Sequence, residues 1–122
     1  MRRTYLVLGW AIVLFGGVHM FAATRVFSGV TAHALWFFSG GIAMSLTGAL
    51  NLLNHSYGAA APGLRRVCVA ANLVMTAFGV AAGIVDKASA AALVIVLGLE
   101  GSVTLLSMLR GSLAPSVYNA RQ

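Results

Sequence analysis

The chain carries four apolar runs, each about 20 residues long and divided by short breaks, with most of its charge gathered at the ends of the runs. They read as 4–23, 32–55, 64–85 and 88–109. A run of this length, without the alternation a barrel strand needs, crosses hydrocarbon as a helix, because lipid offers no partner to an open backbone. Of the 122 residues 60% are hydrophobic and 8% charged, against about a quarter charged in an ordinary soluble domain. So little polar surface cannot solvate a folded chain. The expectation is an all-α membrane protein: four transmembrane helices in an up-down bundle, one domain over 1–122, with a short cytoplasmic tail over 110–122.

The breaks set the expected orientation. Thr24-Arg25 to Thr31 joins the first two runs, Ser56 to Gly63 is a turn ending in Pro62-Gly63, and a tight hairpin surrounds Asp86-Lys87. With both termini in the cytoplasm, Arg2, Arg3, Arg65, Arg66, Arg110 and Arg121 lie inside and Arg25 and Lys87 outside, which favours an N-in, C-in topology. A bacterial-type plasma (inner) membrane fits this pattern. The first run does not read as a cleaved leader, since cleavage after Ala22 or Ala23 would put Met20 or Phe21 where a small residue is needed. The net charge of +6 belongs to these helix ends and not to a nucleic-acid surface, because no basic stripe with interleaved aromatics is present.

Glu100, in Gly-Leu-Glu-Gly-Ser-Val within the fourth run, is the costliest residue in the sequence. An ionised carboxylate at a bilayer centre costs about 2.5 to 3.5 kcal/mol on the insertion scale, so Glu100 should face the bundle interior and be protonated or paired. Counted from the cytoplasmic helix ends at about 1.5 Å per residue, Glu100, Asn72 and Thr47 fall at depths of roughly 13, 12 and 10 Å. Asn51 and Thr104 lie about a turn nearer the cytoplasm. Thr47, Asn51, Asn72 and Glu100 therefore form a candidate layer for a small ligand or a proton. The alternative is a structural acid, hydrogen-bonded to Asn72 or Asn51 to fix helix packing.

The second run also carries a stripe of His33, Trp36, Gly40, Met44, Thr47, Asn51 and Asn54 on one helical face. Its outer end meets His19 and Arg25 across the first connection, giving a candidate outer cluster of His19, His33, Trp36 and Arg25. Two imidazoles are few for a metal, since closed zinc sites take four ligands, and an interfacial aromatic belt accounts for them better. Haem ligation by His19 and His33 is a third, weaker reading, and no cofactor can be named. The single Cys68 excludes an internal disulfide, and the methionines are too dispersed for a copper ladder.

Small residues suggest where helices approach. Gly9, Gly16 and Ala23 share a face of the first run with Tyr5 and His19, and Gly41-x-x-x-Ser45 and Gly79-x-x-x-Gly83 offer close approach in the second and third runs. In size and helix count the chain is similar to the small multidrug transporters, dimers with one essential membrane carboxylate. That family carries the acid in its first helix and this first run has none, so Glu100 inherits no role and no family is assigned. No phosphate-binding glycine loop, HExxH, CxxC or Ser/His/Asp set occurs, so an enzyme is not the expected reading. Two functions stand: a membrane-embedded binding or transport module around Glu100, or a non-catalytic accessory subunit of a larger membrane complex. The expected partners are the lipid bilayer and either further copies of this chain or a larger assembly, with no nucleic acid.

Overall fold

The structure, a computed structural model, describes residues 2–85 and 90–112. It is all-helical: α1 (Arg2–Val26), α2 (Ala32–Tyr57), α3 (Pro62–Val85) and α4 (Ala90–Ser112). The first three are long and apolar enough to cross a membrane, and α4 carries a shorter apolar stretch, Leu93–Leu109. The expected Asp86-Lys87 hairpin and the tail beyond Ser112 lie outside the described residues.

Only the start of α2 and the end of α3 fall where the sequence reading places them, and three of the shifted ends have a clear local reason. Thr24 and Arg25 were expected in the first connection and instead complete α1. The Thr24 hydroxyl donates to the Phe21 carbonyl at 2.7 Å, the Arg25 guanidinium lies 5.2 Å from the Phe21 ring centroid, and a cation at a helix C-terminus is favoured by the macrodipole. Ser56 and Tyr57 extend α2, which closes where the Gly58 N–H donates to the Asn54 carbonyl at 3.0 Å. Pro62 begins α3 rather than ending a helix. Its missing N–H costs nothing in a first turn, whose donors have no intrahelical acceptor. At the start of α2, Thr31 accepts a hydrogen bond from the Ala34 N–H at 3.1 Å and serves as the N-cap.

The α1–α2 pair packs most closely, through glycine. A Cβ on Gly16 would lie 2.6 Å from the Gly41 carbonyl oxygen, and one on Gly48 would lie 2.8 Å from the Val13 nitrogen and 2.9 Å from the Gly9 oxygen. Backbone meets backbone here, so even a methyl group has no room. Later residues of α1 meet earlier residues of α2, since Gly9 faces Gly48 and Gly16 faces Gly41. In α3, Gly79 and Gly83 take the side chains of Val96 and Leu93 from α4. Further contacts join α2 to α3 and α1 to α4, so each helix touches two others.

Burial is inverted relative to a water-soluble bundle. Val7, Leu14, Phe21, Leu46, Val74 and Ile84 point outward. Among the described residues Thr47, Asn51, Asn54, Asn72, Glu100, Thr104 and Ser107 are buried, beside a small apolar cluster of Tyr5, Ile12 and Val103. An apolar surface around a polar interior is what hydrocarbon solvent selects, because lipid competes for no hydrogen bonds and rewards no polar group.

Candidate functional site

The buried polar groups separate into a hydrogen-bonded network and a carboxyl outside it. The network begins with a reciprocal amide pair. Asn51 Nδ2 donates to Asn72 Oδ1 at 2.7 Å, and Asn72 Nδ2 donates back to Asn51 Oδ1 at 3.0 Å. Tyr5, held inside by the glycine face of α1, donates its hydroxyl to Asn51 Oδ1 at 2.6 Å and accepts from Asn54 Nδ2 at 2.9 Å. Cys68 Sγ, one turn before Asn72, lies 3.2 Å from the same Asn51 oxygen. Asn72 Nδ2 also reaches Ser107 Oγ at 3.2 Å. One connected set therefore ties α1, α2, α3 and α4 together.

A hydroxyl ladder leads from this network along α4 toward Glu100. Ser107 donates to the Thr104 carbonyl at 2.8 Å, Thr104 donates to the Glu100 carbonyl at 2.7 Å, and the Thr76 and Thr104 hydroxyls are 3.1 Å apart. Thr76 in turn donates to the Asn72 carbonyl at 2.8 Å. The ladder reaches the backbone of Glu100 and not its carboxyl. The side chain of Glu100 is 3% exposed, and its Oε2 is buried with no hydrogen-bond partner among the described residues. With Ile12, Phe15, Met44, Val96 and Leu99 it lines a cavity of about 10 Å³. That is close to the volume one water molecule needs.

The structure thus brings together some of the candidate residues and separates others. Asn51 and Asn72 meet, at the level of Tyr5 and Ser107. Glu100 lies seven residues before Ser107 on α4, roughly 10 Å along the helix, and neither amide bonds to it. The Thr47 hydroxyl turns back to the Ala43 carbonyl of its own helix at 2.9 Å. Counting from helix ends puts Asn72 level with Glu100, but it ignores helix stagger: Asn72 of α3 lies opposite Ser107 of α4.

At the other end of the bundle, His19 stacks on Phe37 with centroids 3.8 Å apart, and Arg25 caps Phe21. His33 is exposed. Trp36 is also exposed and meets Phe78 edge-on at 6.0 Å. His19, Trp36 and Arg25 each meet an aromatic ring and not one another. Among the described residues, no three His, Cys, Asp or Glu side chains converge in a way that could hold a metal ion.

Tyr5, Cys68 and Ser107 complete the network and were not among the candidate site residues. Tyr5 was legible in part, since it shares its helical face with Gly9 and Gly16, and a tyrosine on a close-packed face must bury its hydroxyl against a partner. No known protein family, curated protein or solved structure matches this chain.

Proposed function

We propose that the chain is a four-helix up-down bundle of the plasma (inner) membrane, with both termini cytoplasmic, and that it acts as a membrane-embedded binding or transport module taking up a proton on Glu100. The arginine distribution and the contacts of successive helices support the orientation and the up-down order. The observation that carries the functional reading is Glu100 Oε2, buried without a partner among the described residues beside a water-sized cavity. A carboxylate there has no donor to stabilise it, whereas a carboxylic acid meets only apolar walls and at most one water. A cavity of about 10 Å³ excludes an organic solute, which narrows the ligand to a proton. The neighbouring amides are engaged with one another, so they hold the helices that frame the acid.

The test is infrared difference spectroscopy across a pH titration of protein in vesicles. The chain has only two acidic residues, Asp86 and Glu100, so assignment is direct. Wild type and Asp86→Asn should share a protonated-carboxyl band that Glu100→Gln lacks. A band that survives in Glu100→Gln refutes the proposal.

The accessory-subunit reading draws on a different feature. On α4, a Cβ at Gly98 or Gly101 would meet nothing within 4 Å, which leaves room for close approach by another helix. Copurification of a partner that is lost in Gly98→Leu would favour that reading.

A further inference from the structure

A second cavity lies between α3 and α4 at the end where the arginines gather. It is an open groove of about 590 Å³ lined by Arg65, Arg66, Val69, Ala70, Leu73 and Met108, with Ser107 at its floor. Arg65 and Arg66 stand in the early turns of α3, where the macrodipole is positive and a cation is disfavoured. No described acidic side chain offsets this. Of the chain's two acids, Glu100 lines the other cavity and Asp86 follows the far end of α3. Two guanidiniums and a helix N-terminus thus direct positive potential at one place. Directly beyond them the groove's lining is apolar except for Ser107, along a helix long enough to cross a membrane.

We infer that this groove binds an anionic phospholipid, its phosphate held by Arg65 and Arg66 and an acyl chain lying along Val69, Ala70, Leu73 and Met108. The chemistry matches at both ends. Guanidinium takes phosphate through paired donors, and a helix N-terminus adds favourable potential for an anion. The groove's volume is far larger than a lone phosphate needs, and its apolar length has no use for one. The axial change from basic to apolar is that of a phospholipid at a cytoplasmic membrane surface, where basic pockets between helices hold anionic headgroups. This inference is independent of the proton proposal, since the groove does not include Glu100.

The experiment is lipid titration of the 122-residue chain in mild detergent, read by native mass spectrometry and by melting temperature, with phosphatidylglycerol, phosphatidylcholine and inorganic phosphate as probes. Wild type should prefer phosphatidylglycerol over phosphatidylcholine by roughly 30-fold, about fivefold for each arginine. Arg65→Gln/Arg66→Gln should abolish that preference, while Arg25→Gln at the opposite end should keep it. Leu73→Trp, which fills the groove and leaves both arginines, should weaken phosphatidylglycerol binding, and this variant keeps the test valid if the double variant fails to fold. Inorganic phosphate alone should not raise the melting temperature. Equal binding of the two lipids overturns the inference. So does a phosphate response that matches phosphatidylglycerol, or groove variants that change oligomeric state while lipid binding persists, which would assign the groove to a second copy of the chain.

Discussion

Two buried polar regions on the same four helices have opposite chemistry. Around Asn51 and Asn72, donors and acceptors from all four helices converge within 2.6 to 3.2 Å. Around Glu100, one carboxyl oxygen is buried with no donor among the described residues and the walls are apolar. In a bilayer a satisfied network contributes packing specificity, with interhelical hydrogen bonds averaging about 0.6 kcal/mol and reaching about 1.7. An unsatisfied acid contributes none of this. It lowers stability, and a residue that does so invites a functional explanation.

The sharpest way to break this contrast is to truncate one member of each region. Asn72→Ala removes both halves of the amide pair and the Ser107 contact, leaving Asn51 with Tyr5 and the Thr47 carbonyl, so it should destabilise the protein by about 2 kcal/mol in reversible detergent unfolding. Tyr5→Phe, which deletes only the hydroxyl shared by Asn51 and Asn54, should cost about 1.5 kcal/mol by the same measurement. Glu100→Leu should have the opposite sign, stabilising by about 1 kcal/mol, because it replaces an unpartnered acid with a hydrocarbon of similar volume. If Glu100→Leu destabilises as strongly as Asn72→Ala, the two regions are not different in kind. A double-mutant cycle between Asn51→Ala and Asn72→Ala should return a coupling of about 1 kcal/mol, whereas a cycle between Asn72→Ala and Glu100→Leu should return about zero. The smallest effect belongs to Thr104→Val, which cuts the hydroxyl ladder between the regions and should cost about 0.5 kcal/mol.

The parts of this contrast were unevenly legible. Glu100 announced itself, because an acid in an apolar run is conspicuous whatever surrounds it. Asn51 and Asn72 were visible as polar residues in membrane-length helices, and their need for partners followed. Their pairing with each other, and not with Glu100, did not follow. Tyr5 and Cys68 were ambiguous for a different reason, since a tyrosine near a helix end also suits the membrane interface and a lone cysteine suits any small buried site. His19, His33, Trp36 and Arg25 share an aromatic-belt composition at the sequence level, and His19 and Arg25 meet the rings of Phe37 and Phe21; which rings they meet was not legible, because a short connection fixes the separation of two helix ends but not the directions of the side chains on them.

The sequence by itself determined that this is a helical membrane protein and roughly where its helices lie. Length, apolarity and the absence of backbone partners in lipid leave one secondary structure available. Which polar groups meet was decided only by the tertiary structure, and the reason is one of scale. A hydrogen bond holds over about 3 Å, while one turn of uncertainty in how two helices are staggered moves a side chain by about 5.4 Å. Glycines packed against backbone, Gly16 on Gly41 and Gly48 on Gly9, set the α1–α2 stagger to within that tolerance. With the helices in register, Tyr5 reaches Asn51, Asn51 reaches Asn72, and Glu100 faces its cavity with no partner among the described residues.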